Sequence, residues 1–275
     1  MSTRTEADID VAALEPSIAG TRFSGKVRFF PSISSTNTHA MAEADAGAPD
    51  GMVYTADEQT AGRGRGAHGW ASPPGSGLYL SVLLRPRLAP ADVLWLSLAA
   101  GLAVRDAVEH VTSLRADLRW PNDLLFGRRK FCGILSELNA EVTRVRHMVI
   151  GIGINVHQQL FPPELQDLAT SLHIETGRDW PRQELLAALL QSLDREVNAL
   201  TAPEKTEEAT ANILSRLERS SSWIRGKRVY VEEQDDYAGV TEGLDSRGFL
   251  QIRTNGGLRT VYSGGVREQK SNSNR

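Results

Sequence analysis

The sequence has almost no cysteine and no long apolar run. Cys132 is the only cysteine of the 275 residues, so no disulfide can form within the chain, which agrees with a reducing cytosol. The longest apolar run, from Val93 to Val104, is shorter than the ~20 residues that a membrane-spanning helix needs. We therefore expect a cytoplasmic protein that does not contact membranes, in which this run forms a buried helix.

Net positive charge is also lacking, which limits the class of partner. The formal net charge is −3 at pH 7, whereas a domain that binds nucleic acid in general carries a basic surface. The opening residues contain no apolar core of a signal peptide. With 40% hydrophobic and 24% charged residues, the composition is that of an ordinary globular protein. We expect one large domain or two smaller ones, in which basic residues act only locally.

A segment rich in glycine and arginine, residues 57–70, is the most informative part of the chain, and we call it the glycine loop. Its sequence is DEQTAGRGRGAHGW, in which Arg63 and Arg65 stand between glycines and Trp70 is last. Glycines let the backbone approach a ligand closely, and forked guanidinium groups bind carboxylate or phosphate. No Gly-Lys-Ser/Thr follows, so this is not a Walker phosphate loop. The loop predicts a site for a small anion, although a mobile surface loop or an arginine–glycine nucleic-acid segment has a similar composition.

Hydrophobic periodicity predicts the elements around this loop. Strands are predicted at 26–30, 51–58, 78–84 and 148–156. Helices are predicted at 9–19, 91–111, 182–200 and from Pro203 to about Arg219. Another helix should begin before Ala40, with Ser34, Ser35 or Thr36 as its N-cap. The glycine loop would thus be held at both ends by strands, which favours a site over a free linker.

The segment from Leu118 to Leu138 predicts a turn followed by a hairpin. Trp120-Pro121-Asn122-Asp123 is the turn, and Gly127-Arg128-Arg129 connects the two strands of the hairpin. Period-two alternation predicts that Lys130, Cys132 and Ile134 share one face of the second strand. A lysine on an otherwise apolar face lies either at the solvated end of the strand or in a functional site.

From Trp223 onward the sequence predicts short strands, at 227–233, 237–244, 249–253 and 258–263. Tight turns at Asp245-Ser-Arg-Gly and Asn255-Gly-Gly would connect them into a small all-β domain. We divide the chain into a partly disordered N-terminal extension (1–23), a main domain (24–222), the β domain (223–268) and a polar tail (269–275).

Six motifs, taken together, resemble the biotin protein ligase family. They are Ser35-Thr36-Asn37, the segment Glu58 to Arg65, Trp70 with Ser72-Pro73, Trp120 to Asp123, Lys130 to Leu135, and Gly151 to Asn155. Each motif alone is weak, but six in the family's order are specific, and the resemblance covers about residues 26–268. It implies an α+β fold: a mixed β-sheet backed by helices, the class II synthetase-like catalytic fold of biotin and lipoyl ligases, followed by a small SH3-like β-barrel.

The resemblance implies a reaction in two steps. The carboxylate of biotin attacks the α-phosphate of ATP, giving biotinyl-5′-AMP and pyrophosphate. A lysine of the biotin carboxyl carrier protein of a carboxylase, such as acetyl-CoA carboxylase, then attacks the mixed anhydride, giving an amide and AMP. Mg²⁺ is expected with ATP, held largely by phosphates and water. No motif identifies a protein ligand for Mg²⁺, although Asp123 is the nearest candidate.

The resemblance also implies roles for single residues. Lys130 and Arg65 would be catalytic, because fixed cations offset the repulsion between two anions that must meet. The residues implied to bind biotin are Ser35, Thr36, Asn37, Gln59, Arg63, Gly64, Arg65, Lys130 and Gly133. The residues implied to bind ATP are Arg63, Arg65, Trp70, Asn122, Asp123 and Asn155.

Two positions depart from the family pattern. The family's loop often continues with Arg-Gly-Arg after the second arginine, where this chain has Gly66-Ala67-His68. The loss of two positive charges leads to the hypothesis that biotinyl-5′-AMP is retained less tightly. In the C-terminal domain, the family's Gly-Glu-Val is replaced by Gly264-Gly265-Val266, which puts a role for that glutamate in doubt, while Arg267 remains.

The length of the N-terminal segment bears on whether the protein binds DNA. About 25 residues precede the first catalytic strand, too few for a helix-turn-helix domain, so we expect a ligase that binds no operator DNA. A homodimer is left open. A lipoyl or octanoyl ligase would share the catalytic fold but typically carries Arg-Arg-x-x-Gly-Gly-Gly, which is absent here. A non-catalytic nucleic-acid module would use the glycine loop, but the net charge and the single copy of the loop argue against it.

Overall fold

The computed structural model describes residues 9–66, 68–202, 204, 206–232, 236–262 and 265–269. The predicted disorder at the start of the chain therefore lies, for residues 1–8, outside the described residues. The same holds for the polar tail from residue 270 onward, for Ala67 of the glycine loop and for Gly264.

A mixed sheet of seven strands forms the centre of the larger part of the protein, in the order β1-β2-β3-β7-β6-β5-β4. Its strands are β1 (Val27–Ile33), β2 (Val53–Gln59), β3 (Gly77–Leu84), β4 (Asp117–Arg119), β5 (Asp123–Phe126), β6 (Arg129–Ala140) and β7 (Val145–Asn155). β1 and β2 pair in parallel, and the other neighbours pair antiparallel. The central strand β3 is buried along its whole length, as its continuous apolar sequence predicts.

Helices cover both faces of this sheet. They are α1 (Val11–Ile18), α2 (Thr36–Asp45), α3 (Val93–Thr112), α4 (Leu172–Thr176), α5 (Arg182–Thr201) and α6 (Thr206–Ser220). Successive strand residues point to opposite faces, so Val82 belongs to the main core with α3 and α5, whereas Leu83 packs in a smaller cluster with α2. Within the described part of the chain, no helix has the length and apolar character that crossing a membrane requires.

The start of α2 shows which of the candidate caps is used. Ser35 is the N-cap, and its side chain accepts a hydrogen bond from the backbone N–H of Thr38 at 3.4 Å. Thr36 and Asn37 therefore begin the helix and lie at its amino end, beside the end of β2.

A second sheet of five antiparallel strands follows α6, in the order β11-β10-β9-β8-β12. Its strands are β8 (Arg225–Glu232), β9 (Tyr237–Leu244), β10 (Leu250–Thr254), β11 (Gly257–Val261) and β12 (Gly265–Glu268). The sequence did not predict β12, because four residues with a single apolar side chain, that of Val266, carry little strand signal. The indole N–H of Trp120 donates to the carbonyl of Gly248 at 2.9 Å and so joins the small sheet to the turn between β4 and β5.

The prediction that Lys130 shares a face with Cys132 and Ile134 is wrong. Lys130 and Cys132 pair with adjacent residues of β5, so Phe131 is an extra residue in β6 and forms a β-bulge. The bulge turns Lys130 to the face of Gly133, where its Nζ lies 2.9 Å from the position that a Cβ on Gly133 would take. Cys132 and Ile134 are buried in the core instead. A period-two pattern does not reveal an extra residue.

Candidate functional site

A cavity of about 460 Å³ lies between the start of α2, the glycine loop, the middle of β6 and β7, and the small sheet. This volume is within the range of small-molecule sites, roughly 300–1,000 Å³. The predicted site residues that line it are Ser35, Thr36, Asn37, Gln59, Arg63, Gly64, Arg65, Trp70, Asn122, Asp123, Lys130 and Gly133. The structure thus brings residues from all six motifs into one space, since Gly151 and Gly153 of the sixth motif line it as well.

Asn155, predicted to contact ATP, does not line this cavity. It is two residues further along β7 than Gly153, the last residue of the strand that does. Its side chain is buried, donates to the carbonyl of Thr170 at 3.0 Å and accepts from Gln158 at 3.2 Å. The amide therefore supports the segment after β7, and the geometry gives no support to a contact with nucleotide.

The glycine loop is a hairpin that folds back on itself. The backbone N–H of Trp70 donates to the carbonyl of Gly62 at 2.9 Å, and that of Gly64 donates to the carbonyl of His68 at 2.8 Å. A Cβ on Gly62 would lie 2.3 Å from the carbonyl oxygen of Trp70, so this close approach requires glycine. The hairpin presents its arginines to the cavity on a constrained backbone.

Glycines of β7 make room for the side chains that line the cavity. A Cβ on Gly151 would lie 2.1 Å from Oδ1 of Asn37, and a Cβ on Gly153 would lie 2.4 Å from Nε1 of Trp70. Both distances are far below contact, so any other residue there would displace Asn37 or the indole. This is the close approach that glycine in a strand interior indicates.

One side of the cavity carries a compact group of charges. Nζ of Lys130 lies 2.6 Å from Oδ1 of Asp123 and 5.2 Å from the ring centroid of Trp70, and Arg119 contacts Oδ2 of Asp123 at 2.5 Å. Burial alone would raise the pKa of Asp123, but Lys130 and Arg119 outweigh it and hold that pKa below its ordinary value. Two cations thus surround one carboxylate, which leaves an excess positive charge to attract an anion.

The two arginines of the glycine loop point to different places. Nη1 of Arg65 donates to Oδ1 of Asn122 at 3.3 Å, beside the charged group just described. Arg63 instead reaches β6, where Nη1 and Nη2 donate to the two carboxylate oxygens of Glu137 at 3.0 and 2.8 Å. Arg65 is therefore placed near Lys130 and Asp123, whereas Arg63 is tied to the sheet.

A chain of close polar contacts, which we call the polar wall, links Gln59, Thr36, Ser81 and Asn37. Oγ1 of Thr36 lies 3.0 Å from Oε1 of Gln59 and 2.8 Å from Oγ of Ser81. Oγ of Ser81 lies 2.6 Å from Oδ1 of Asn37. These are three contacts between oxygen atoms, and each needs a hydrogen to be favourable.

The hydrogens of the polar wall can be counted, because the orientation of both amides is fixed. Oε1 of Gln59 must be an oxygen since it accepts the backbone N–H of Thr36 at 2.9 Å. Nδ2 of Asn37 must be the nitrogen since it donates to Glu137 at 2.8 Å. Only the two hydroxyl groups then supply hydrogens, one each, for three contacts. The wall is one donor short, which favours a ligand that brings N–H groups.

The small sheet closes the remaining side of the cavity with Glu232, Gly265, Val266 and Arg267. Glu232 and Gly265 are direct cross-strand partners, and a Cβ on Gly265 would lie 2.8 Å from Oε2 of Glu232. Glu232 also contacts Nε of Arg267 at 3.0 Å. The carboxylate that the family pattern places at position 265 is absent, but Glu232 puts one on the same face of the neighbouring strand.

The donor set does not fit a protein-bound metal ion. The described residues contain no cluster of three or more His, Cys, Asp or Glu side chains that could hold one. Asp123, the nearest candidate for Mg²⁺, is already held by Lys130 and Arg119. The thiol of Cys132 is fully buried, and burial raises its pKa, so it is not a ligand or nucleophile in this state.

Sequence reasoning missed Ser81, Arg119, Glu137 and Glu232. A signal existed for two of them: Ser81 is the one polar residue between Leu78 and Leu84, and Glu137 is a charged residue within a long strand. Arg119 and Glu232 stand in segments whose composition is ordinary for solvated strands, so only the fold shows that they reach the cavity.

Comparison with known proteins agrees with this geometry. Residues 29–155 match the model of the Biotin/lipoate A/B protein ligase family, and residues 225–266 match that of the Biotin protein ligase C terminal domain. The chain is 35% identical over 237 residues to the bifunctional ligase/repressor BirA of Bacillus subtilis, covering 85% of this chain and 71% of that protein. It is 36% identical over 240 residues to the biotin–[acetyl-CoA-carboxylase] ligase of Mycobacterium tuberculosis, covering 84% and 85%. The biotin protein ligase of Aquifex aeolicus, solved in complex with biotin and ATP, superimposes with a TM-score of 0.76 at 30% identity and covers 89% of this chain and 100% of that chain.

Proposed function

Because this chain belongs to the biotin protein ligase family, we propose that it joins biotin to the biotin carboxyl carrier protein of a carboxylase in two steps, with biotinyl-5′-AMP as intermediate. The M. tuberculosis relative is named for an acetyl-CoA carboxylase, which makes that enzyme's carrier subunit the first acceptor to test. The observation that carries the proposal is that three residues of the polar wall, Thr36, Asn37 and Gln59, line the same cavity as a group of fixed cations.

The polar wall suits the ring urea of biotin. The wall is one hydrogen short, and a cyclic urea brings two N–H donors together with one carbonyl acceptor. The residues proposed to hold this end are Ser35, Thr36, Asn37, Gln59 and Arg63, with Gly64 and Gly133 allowing close backbone approach. The dithiolane ring of a lipoyl group has no N–H to offer, so the wall favours biotin over the lipoyl alternative.

The charged group suits adenylation. The carboxylate oxygen of biotin forms a bond to the α-phosphorus of ATP while the bond to the β-phosphate bridging oxygen breaks, and pyrophosphate leaves. Lys130 is held by Asp123 at 2.6 Å and supplies a fixed positive charge where the two anions meet. Arg65, held at Asn122, adds forked donors on the same side. Both contacts hold the cationic groups in place, so little reorganisation is needed during the reaction.

In the second step, the lysine amine of the carrier protein attacks the carbonyl carbon of the mixed anhydride. An amide bond forms, the bond to the phosphate oxygen breaks, AMP leaves and the amine loses a proton. We place the nucleotide beside Trp70, Asn122 and Asp123, next to the small sheet that closes this side. Mg²⁺ would accompany ATP through phosphates and water, and no step is assigned to a protein-bound ion.

ATP–pyrophosphate exchange with biotin and with lipoate, side by side, tests the proposal. Exchange that depends on biotin, followed by transfer to a purified carrier protein, is the expected result. Exchange with lipoate alone would instead support a lipoyl ligase. No exchange, together with RNA binding that persists at about 0.5 M salt, would support the nucleic-acid module, because phosphate-driven binding weakens steeply as salt rises.

Other parts of the proposal need separate measurements. A cytoplasmic location, the absence of operator binding, a homodimer and the domain division at residues 222 and 223 remain predictions. A gel shift with biotin and ATP present would check operator binding, and sedimentation would check the dimer. The substitution of Gly66-Ala67-His68 for a more basic loop predicts measurable release of biotinyl-5′-AMP to solvent, and tight retention would count against that idea.

A further inference from the structure

We propose that Glu137 is a positioning residue, which ties the glycine loop to the sheet through Arg63 and fixes the orientation of the polar wall through Asn37. Its carboxylate does not line the cavity, and it belongs to none of the six sequence motifs. The part that concerns the loop stands on geometry alone, whereas the part that concerns the ligand rests on the proposed function.

The contact with Arg63 anchors the loop. Both guanidinium Nη atoms of Arg63 donate to the Glu137 carboxylate, at 3.0 Å to Oε2 and 2.8 Å to Oε1. Such a bidentate pair fixes direction as well as distance. Arg63 itself is 45% exposed, so the pair contributes little to global stability, and its effect is on the position of the loop.

The contact with Asn37 fixes which end of its side-chain amide, Oδ1 or Nδ2, faces Ser81. Oε2 of Glu137 accepts from Nδ2 of Asn37 at 2.8 Å, which leaves Oδ1 of Asn37 to face Ser81. If the amide of Asn37 turned over, Nδ2 would donate to Ser81 and supply the hydrogen that the wall lacks. The wall would then no longer be short of a donor, and a ligand N–H would meet one acceptor fewer.

The two oxygens of Glu137 therefore accept three hydrogen bonds, two from Arg63 and one from Asn37, and a glutamine cannot replace it. In Glu137→Gln one oxygen becomes an NH₂ group. If it replaces Oε1, Arg63 loses one of its two acceptors; if it replaces Oε2, Arg63 loses the other and Asn37 keeps only the longer contact of its Nδ2 with the carbonyl of Leu135, at 3.4 Å. The contacts beyond Asn37 continue through Ser81, Thr36, Gln59 and Ser72 to the carbonyl of Trp70. Trp70 and Arg63 belong to the same loop, so the glycine loop is tied at both ends of one continuous chain of contacts.

Limited proteolysis tests the anchor without reference to any ligand. Trypsin cuts after arginine, and cleavage after Arg65 can be followed by mass spectrometry. We expect roughly tenfold faster cleavage in Glu137→Gln, because release of the loop exposes its backbone. The matched control is Glu141→Gln, since Glu141 makes a similar pair with Arg144, at 2.9 and 3.2 Å, away from the cavity. Equal cleavage of wild type and Glu137→Gln would overturn the anchor.

Arg63→Gln is the second variant in case Glu137→Gln does not fold. It removes the other partner and should speed cleavage after Arg65 to the same extent, and combining both changes should add little more. Additive effects in the double variant would mean that the two residues act separately, which would overturn the anchor.

Kinetics test the polar wall. In Glu137→Gln, the KM for biotin in ATP–pyrophosphate exchange should rise roughly tenfold while the KM for ATP and kcat change little, because the chemistry lies at Lys130. Glu137→Asp, which keeps two oxygens, should restore part of the biotin KM. Faster proteolysis with an unchanged biotin KM would overturn the role in the wall. If Glu137→Gln is cleaved faster than wild type but the wild-type protein shows no biotin-dependent exchange, the proposed function fails while the anchor stands.

Discussion

Replacing Lys130 by methionine removes one ammonium group from the cavity while keeping an unbranched side chain of similar length. The group lost lies 2.6 Å from Asp123 and 5.2 Å from the ring centroid of Trp70. Lys227 offers a matched control elsewhere in the chain. It pairs with Glu268 at 2.9 Å and lies 4.8 Å from the ring centroid of Trp223, but it does not line the cavity.

The expected magnitudes follow from what surrounds each lysine. Losing one preorganised donor at a developing charge costs about 10²–10³ in kcat, so Lys130→Met should reduce adenylation by that factor. Breaking a buried pair costs up to about 3–5 kcal/mol when a charge is left uncompensated. Asp123 keeps its contact with Arg119 at 2.5 Å, so the loss of stability should stay nearer ~1–2 kcal/mol. Lys227→Met should cost ~1 kcal/mol or less and leave the rate unchanged.

The assay is biotin-dependent ATP–pyrophosphate exchange, with urea unfolding of each variant measured in parallel. We expect a large loss of exchange and a modest loss of stability in Lys130→Met, and no loss of exchange in Lys227→Met. An undiminished rate in Lys130→Met would remove Lys130 from the mechanism. An equal loss in both variants would show that the effect of removing a lysine is not specific to the cavity.

Three further predictions concern other parts of the structure. Gly153→Ala should displace the indole of Trp70, because the new Cβ would lie 2.4 Å from Nε1, with a loss of about 1–3 kcal/mol in unfolding free energy and slower exchange; normal values of both would refute this packing. Glu232→Gly and Gly265→Glu should each reduce exchange several-fold at low ATP, and the double variant should recover, since the two positions are cross-strand partners; a double variant no better than the single ones would contradict the replacement of one carboxylate by the other. Burial lowers the pKa of His147, so the unfolded chain binds a proton before the folded chain does as pH falls. The contribution of the neutral imidazole to the unfolding free energy should therefore be fully present above about pH 6.5 and be lost as pH falls towards the pKa of the folded state. Urea unfolding between about pH 5 and 7 measures this decrease, which His147→Gln should lack.

The sequence predicts elements well where a single physical signal decides them. The apolar face of α5 and the continuous apolar run of β3 both lie where periodicity places them, each with one end shifted by one residue. The glycine loop was recognisable because glycines and arginines at that spacing have few structural uses. These signals are local, so no knowledge of distant residues was needed.

The parts that the sequence did not reveal depend on contacts between distant segments. Glu137 meets Arg63 across 74 residues, and Glu232 matters only because Gly265 leaves space beside it. β12 becomes a strand by pairing with β8, not by its own propensity. Asn155 was grouped with the site by its motif, but only the fold shows that the strand carries it past the cavity.

The bulge at Phe131 has a chemical consequence beyond geometry. Without the extra residue, Lys130 and Cys132 would share one face of β6, so either the thiol of Cys132 would turn towards the cavity beside Lys130, or the amine of Lys130 would turn into the core with Cys132. An activated acyl group beside a thiol could be captured as a thioester, so the enzyme would consume its own intermediate. Because the bulge at Phe131 keeps the thiol of Cys132 in the apolar interior, the acyl adenylate is protected from capture by the protein that forms it.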